Sequence, residues 1–393
     1  MFGEVNLAQS RANVLGRLGG ALVLFTMLFV CTQFEANARS QEVTNKTYST
    51  EMLYDDLPAS WSINVSPKDE LFVTERDGAV WVASATGKFT RFTLPITDMY
   101  RPGQGGYLDI EFHPNYAKNA WVYLSYSFGS AEANGLAIVR FKLPVDGTLV
   151  EVLEPIFRQR SLRNTPVHYG GRMVFDKNSL LYVTTGDGFD YREQAQVLTS
   201  DMGKTLRMND TGEALSDNPF YSESTPDSNY VYTSGHRNPQ ALIGITLNSQ
   251  FILLGNEHGP DGGDEINILQ KGKNYGWPVI TEGKDYSGAV ITPFKEYAGM
   301  EQADYNWTPS IAPSSMAYYS ASQFPELKGH VLVPSLKDRD LRALNFDGKR
   351  LYNEQSLLTK LNKRLRDIEL TADGDVLLLT DGDNAQILRL VRQ

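Results

Sequence analysis

Short apolar runs, each closed by Gly, Asp or Asn, recur along most of the chain. Leu71-Phe72-Val73-Thr74 is followed by the turn Asp77-Gly78 and then by Ala79-Val80-Trp81-Val82. Similar runs are Trp121-Val122-Tyr123-Leu124, Leu180-Leu181-Tyr182-Val183-Thr184, Phe251-Ile252-Leu253-Leu254, Val331-Leu332-Val333 and Val376-Leu377-Leu378-Leu379-Thr380. Apolar, β-branched and aromatic segments of this length, bounded by turn chemistry, predict strands. No long amphipathic helical pattern follows residue 40. The six anchor runs begin near residues 71, 121, 180, 251, 331 and 376, roughly 45–80 residues apart. That interval suits four-stranded blades with loops inserted in some of them. The expectation is an all-β, six-bladed β-propeller forming one domain over residues 39–393, since no Pro-, Gly- or Ser-rich linker divides it. A pair of packed sheets remains the competing arrangement of the same strands. In a propeller the chemistry falls to loops at one end of the central channel.

The N-terminus departs from this pattern. Arg11 and Arg17 precede an apolar run from Leu18 to Val30, and Ala36-Asn37-Ala38 supplies a small-x-small cleavage pattern. Residues 1–38 therefore predict a secretory signal, cleaved or kept as an N-terminal anchor, and a periplasmic or secreted protein. The run is short for a membrane span, so no stable span is expected in the mature chain. Val30 is not the small residue that lipidation at Cys31 requires. Cys31 is the single cysteine of the 393 residues, so the mature chain would lack a thiol. Disulfides, a cysteine nucleophile and a fused c-type cytochrome are excluded, and metal sites must use oxygen or nitrogen. The formal net charge of −10 argues against nucleic acid as a partner, because phosphate binding needs a basic face.

Four polar constellations stand out. Val167-His168-Tyr169-Gly170-Gly171-Arg172 precedes a predicted strand that ends in Thr185-Gly186-Asp187-Gly188. If the chain runs down one strand and up the next, His168 and Asp187 meet at one end. A carboxylate beside an imidazole fixes its tautomer and raises its basicity, as a general base needs; a plain loop histidine is the bland alternative. Gly235-His236-Arg237-Asn238-Pro239-Gln240 groups donors in a tight turn, suited to an anion or a carbonyl and equally to a capped turn. The stretch from Asn256 to Glu265, followed by Gly272–Pro278, mixes carboxylates with glycines and free carbonyls. A hard cation such as calcium prefers that chemistry, although the spacing is not that of an EF-hand. Lys337, with Arg364 and Arg366 alternating around Leu365, supplies cations that imply an anionic ligand if they converge, and ordinary surface charge if they do not.

In order along the chain, these segments resemble the soluble PQQ-dependent glucose/sorbosone dehydrogenase family, in its aldose sugar dehydrogenase branch. The resemblance runs from about Trp61 to the C-terminus. It also takes in Gly103-Gln104-Gly105-Gly106-Tyr107-Leu108-Asp109, Phe112-His113-Pro114, Leu332–Lys337 and Arg364-Leu365-Arg366-Asp367. It implies PQQ across the mouth of a propeller channel, with Lys337, Arg364 and Arg366 pairing its acidic edge and Gln104 and Asn238 hydrogen-bonded to it. Trp307 would pack near cofactor and sugar. His168 would be the general base, Asp187 its orienting partner and Arg237 the group polarising the quinone oxygen. Calcium would be held by the carbonyls of Gly259 and Pro260, and a second, structural calcium near Glu265 and the carbonyl of Tyr275. The implied reaction takes an aldose at C1 to the lactone and passes electrons to an external acceptor, a quinone or a cytochrome. The implied assembly is a monomer or homodimer. Val167 stands where the family often has an acidic or amide residue, which bears on substrate preference. The alternatives are a calcium-dependent propeller hydrolase such as a lactonase, which would not need the Lys337, Arg364 and Arg366 cations, and a non-catalytic binding propeller.

Overall fold

The computed structural model describes residues 48–83, 87–143, 150 and 152–393. The expected export segment and Cys31 lie outside the described residues. Among those residues no helix is long and apolar enough to cross a membrane.

Strand β1 (Tyr48–Leu57) comes first in the chain but completes the last sheet. β2 (Ser60–Val65), β3 (Leu71–Glu75), β4 (Ala79–Ala83) and β5 (Phe89–Phe92) form the first sheet. β6 (Tyr107–Phe112), β7 (Val122–Gly129), β8 (Asn134–Phe141) and β9 (Leu153–Arg158) form the second. The third contains β10 (Gly170–Phe175), β11 (Leu181–Thr185), β12 (Lys204–Met208) and β13 (Val231–Ser234). The fourth contains β14 (Pro239–Leu247), β15 (Gln250–Glu257), β16 (Asp264–Leu269) and β17 (Tyr305–Trp307). β18 (Ala317–Tyr319), β19 (His330–Pro334), β20 (Leu341–Phe346) and β21 (Leu351–Leu357) make the fifth. In the sixth, β22 (Leu365–Leu370), β23 (Val376–Thr380) and β24 (Ala385–Arg392) are joined by β1 on the outer side of β24.

Every pairing within these sheets is antiparallel and sequential except β1 with β24, which runs from Tyr48 opposite Arg392 to Leu57 opposite Ala385. The first strand thus zips the two ends of the ring together. The innermost strands β2, β6, β10, β14, β18 and β22 neighbour one another in a closed cycle. The six-bladed propeller is therefore present and the two-sheet alternative is not. Each of the six apolar anchors is the second strand of its blade: β3, β7, β11, β15, β19 and β23. These strands are covered on both faces by neighbouring blades, so they read as continuous apolar runs rather than as alternation. Six buried apolar clusters fill the six gaps between blades. One of them packs Phe72, Val80 and Phe92 of the first sheet against Ile110, Leu124 and Val139 of the second.

At the channel axis the inner strands are tied together by charge. The buried Arg172 guanidinium on β10 bonds Asp109 of β6 at 3.1 Å and Asp367 of β22 at 3.0 Å. It also donates to the carbonyls of Gln240 on β14 (2.7 Å) and of Ser314 just before β18 (3.2 Å). β2 joins through Ser62 Oγ to Asp109 (2.8 Å) and the Ile63 N–H to Asp367 (2.9 Å). Burial works against the guanidinium charge, but Asp367 and Asp109 outweigh it and raise its pKa. The inner strands pass from one cavity to another along the channel. Leu108, Gly170 and Arg366 face a cavity of 200 Å³ at one end of the channel. Asp109, Arg172 and Asp367 face one of 670 Å³ towards the other. The charged hub closes the channel between the two.

Removing one member of a buried ion cluster leaves an uncompensated charge, at a cost of about 3–5 kcal/mol. Arg172→Met should therefore lower unfolding stability by about that much, because two buried carboxylates lose their cation. Denaturant unfolding followed by tryptophan fluorescence tests this, and a midpoint equal to that of the unmodified chain would contradict the role given to the hub.

Candidate active site

Because strands alternate in direction within each sheet, the connections that follow odd-numbered strands all emerge at one end of the channel. Arg76 follows β3, Gln104 follows β5, His168 follows β9 and Asp187 follows β11. Arg237 and Asn238 follow β13, His258–Pro260 follow β15, Lys337 follows β19, Arg364 follows β21 and Asp381 follows β23. Residues scattered over more than 300 positions of sequence are thereby gathered on one face.

His168 and Asp187 meet as expected. His168 Nδ1 lies 2.7 Å from Asp187 Oδ1, both side chains being buried. An ionised carboxylate only accepts, so Nδ1 carries the proton and Nε2 presents a lone pair. Asp187 Oδ1 also accepts the Phe189 N–H (2.8 Å), and Oδ2 accepts the Trp277 indole N–H (2.7 Å). Burial alone would raise the Asp187 carboxyl, but the His168 bond and its other donors outweigh it and hold it below the usual range. Burial, with smaller contributions from Arg237 and Arg163, lowers the His168 pKa despite Asp187. The pair is thus an ionised aspartate and a neutral imidazole. His168 takes a left-handed backbone (φ +54), a conformation that strains a non-glycine residue and persists where surroundings impose it. Gln104 Oε1 accepts the His168 N–H at 2.8 Å and so contributes to holding it.

The 200 Å³ cavity beside this pair is lined by Gln104, Asn238, His258, Arg76, Arg364 and Arg366, among others. Gln104 and Asn238 each spend their side-chain oxygen within the protein, on His168 and on Gln240. Their amide N–H groups have no hydrogen-bond partner among the described residues and could meet a ligand. Arg364 and Arg366 share one carboxylate, Asp381, at 2.8–2.9 Å. Arg76 donates to the carbonyls of Gly103 and Gly105 and so anchors the loop that carries Gln104. Burial first, then Arg101 and Arg366, lower its pKa to about 10, so it stays charged. Three guanidiniums facing one carboxylate leave an excess of positive charge that calls for an anionic ligand. The structure brings Arg364 and Arg366 together at this cavity. Lys337 sits at the mouth as an exposed residue and is not part of the cavity wall.

Arg237 lies on the other side. Its backbone N–H is bound by Glu257, which also accepts from His236 Nδ1 (2.8 Å). Its guanidinium donates to the carbonyls of His258 (3.0 Å) and Gly259 (2.7 Å) and lies over the Trp277 ring at 5.4 Å. Gly259, expected to offer its carbonyl to a cation, therefore gives that oxygen to Arg237 here. Glu265 and Tyr275 line a small cavity with Glu257 and Gly259. Burial, then the charge of Glu257, raise the Glu265 carboxyl to about 8. Two repelling carboxylates among loop carbonyls form a donor set that suits a hard cation, which would relieve the repulsion. Among the described residues no three His, Cys, Asp or Glu side chains are grouped to hold a metal by themselves, so carbonyl oxygens would have to complete the shell. Asp264, in the same acidic run, is structural: it is buried and accepts from Gly259, Ser310, Ile311 and Ala312.

Trp307 is not brought to the cavity. It is buried between the fourth and fifth blades, with its indole N–H on Glu354 (3.0 Å). The aromatic residues at the mouth are instead Phe189 and Tyr286, 42% and 64% exposed and stacked at 6.3 Å, with Phe189 edge-on to His168. Sequence reading gave no role to Arg76, Trp277, Asp381 or Tyr286. Arg76 and Asp381 occupy Arg-Asp-Gly and Asp-Gly turns after apolar strands, and that recurring position was the available signal.

The sequence pattern of the family described as "Glucose / Sorbosone dehydrogenase" matches residues 57–389. The aldose sugar dehydrogenase YliI of Escherichia coli is 36% identical over 353 residues, covering 88% of this chain and 93% of that protein. A crystal structure of the soluble E. coli aldose sugar dehydrogenase in the apo form is similar with a TM-score of 0.82 at 34% identity, covering 88% of this chain and all of the other. The PQQ-bound aldose sugar dehydrogenase of Streptomyces coelicolor is similar at 0.69 and 27% identity, covering 88% and 99% of the two chains. This chain belongs to the glucose/sorbosone dehydrogenase family.

Proposed function

We propose that this protein is a PQQ- and calcium-dependent dehydrogenase that oxidises aldose sugars at C1 to the lactone and passes electrons to an external quinone or cytochrome. The observation that carries the reading is the pairing of a neutral, carboxylate-oriented His168 with an adjoining cavity rich in guanidinium groups. The similarity to a PQQ-bound aldose sugar dehydrogenase supports it. A lactonase would have no use for the excess charge of Arg76, Arg364 and Arg366. A binding propeller would have no use for the His168–Asp187 pair.

Arg364, Arg366 and Arg76, with Lys337 at the rim, would meet the carboxylates of PQQ, and the free amide groups of Gln104 and Asn238 would hydrogen-bond it. When bound, PQQ supplies an ortho-quinone able to accept a hydride, and calcium supplies Lewis acidity and a template. His168 Nε2 takes the proton from the C1 hydroxyl as C1 loses its hydride, which leaves the lactone carbonyl. Asp187 holds the resulting imidazolium in place and balances its charge. The Arg237 guanidinium offers donors where negative charge develops on an oxygen, the part played by an oxyanion hole. Phe189 and Tyr286 shield the mouth beside the base. Val167, apolar and half-buried, offers no hydrogen bond to a sugar hydroxyl, which fits a broad aldose preference. An exported location in the periplasm or outside the cell accords with an external electron acceptor.

Cofactor-free protein should reduce a dye with aldoses only after PQQ and calcium are both added. Activity without PQQ, or none with both, overturns the reading. His168→Gln should bind PQQ normally, by cofactor fluorescence quenching, yet lose about 10²–10⁴-fold in kcat; near-normal turnover would remove His168 as the base. Arg364→Ala should weaken PQQ binding by about 10–100-fold, the worth of a charge-assisted hydrogen bond of about 1.5–3 kcal/mol. An unchanged affinity would take Arg364 out of the site.

A further inference from the structure

Four arginines are buried among the described residues, and they differ in how their charge is met. Arg207 meets Asp217, and Arg237 donates to the carbonyls of His258 and Gly259. Arg172 has two carboxylates. Arg163, in the connection between β9 and β10 and only 1% exposed, has no carboxylate within ion-pair distance among the described residues. Its Nε has no hydrogen-bond partner among them. A buried guanidinium without a counter-ion costs several kcal/mol, and folds retain such costs chiefly at functional sites.

What surrounds Arg163 says which function. Its Nη2 points to the His168 carbonyl at 3.5 Å, and its Nη1 donates to Gln159 at 3.1 Å. Its cation lies 4.4 Å from the centre of the Tyr169 ring, the residue after the base. Its backbone is locked to Asn134 in both directions, at 2.8 and 3.1 Å. Gly188, the residue after Asp187, has φ +71, and a β-carbon there would sit 2.3 Å from Arg163 Cδ. The glycine that follows the aspartate is therefore what admits the arginine. His168, Tyr169 and Gly188 all wrap this one side chain.

We propose that Arg163 is a positioning residue for the general base: a buried cation without a counter-ion that fixes the strained His168 backbone and opposes a second positive charge beside it. The charged or titratable groups facing His168 are Asp187 from the connection after β11, Arg237 from that after β13, His258 from that after β15, and Arg163 itself. Burial opposes the imidazolium most, Asp187 favours it, and Arg237 and then Arg163 add to the opposition. His258 is neutral, its pKa lowered to about 3 by burial and then by Arg237 and Arg366. Arg237 is committed to carbonyls and to the ligand side of the site. Arg163 is thus the cation placed behind the base, out of reach of solvent, whose effect neither salt nor ligand screens.

The inference rests on His168 as the base, but its test does not need the loaded enzyme. In cofactor-free protein with isotope-labelled histidine, the His168 resonance (identified by its loss in His168→Gln) is titrated by NMR. Unmodified protein should show His168 titrating below the ordinary histidine value of about 6.5. Arg163→Met and Arg163→Gln should move that titration upward, and Arg163→Lys should hold it near the unmodified position. In the reconstituted enzyme the acid limb of kcat/KM should move upward in the neutral variants, costing about tenfold in rate per pH unit of displacement on that limb, while the rate at high pH persists. Arg163→Gln keeps donors for the carbonyl and for Gln159, so a purely structural arginine would leave its titration unmoved, and that result overturns the proposal. Titration of His168 at or above the ordinary value in the unmodified protein overturns it as well, with no variant required. Failure of PQQ to restore activity would sink the dehydrogenase reading while leaving the titration result intact.

Discussion

The charge of Arg172 holds this ring together. Its guanidinium is buried, and its protein partners are distributed over the inner strands β6, β14 and β22 and the approach to β18. Asp109 and Asp367 in turn bind Ser62 and the Ile63 backbone. No subset of blades can complete this arrangement. The hub therefore rewards only the closed six-bladed ring, whereas the apolar clusters between blades would be served by any stack of adjacent sheets. The zip between β1 and β24 closes the same ring from outside, by backbone hydrogen bonds.

The hub also sets the floor of the ligand cavity. Leu108, Gly170 and Arg366, which line it, lie within one or two residues of Asp109, Arg172 and Asp367. Fixing the hub fixes the depth at which an anionic ligand can rest. Above it the electrostatics divide into two zones. Arg76, Arg364 and Arg366 hold an excess of positive charge over Asp381, open to a ligand. The His168–Asp187 pair is shut away from solvent, where burial and nearby guanidiniums keep the imidazole neutral while hydrogen bonds keep the carboxylate ionised. A buried imidazole–carboxylate pair and a cavity of excess positive charge thus lie side by side.

Trp277 and Arg237 link the zones. The Trp277 indole fixes Asp187 Oδ2, and its ring supports the Arg237 guanidinium. Arg237 in turn occupies the carbonyls of His258 and Gly259. A cation arriving at the Gly259 carbonyl would share that oxygen with the guanidinium.

The sequence by itself determined the blade count and the identity of most polar groups at the mouth. The second strand of each blade is buried on both faces, so its apolar run is legible without knowledge of neighbours. Asp187 was legible because it follows such a strand in a turn-rich segment, and His168, Arg237, Asn238, Gln104 and Arg366 because the ordered segments that carry them resemble those of a known family. The tertiary structure alone decided what those groups touch. Trp307 carries the same signal as a site residue, yet its indole meets Glu354 across a blade interface. Lys337 carries the same charge as Arg366 but stays at the rim. Arg163 and Arg172 cannot be told apart from surface arginines in one dimension, because burial and counter-ions come from blades far away in sequence. Local chemistry is written in adjacent residues, whereas pairing across a closed ring exists only once the ring is closed.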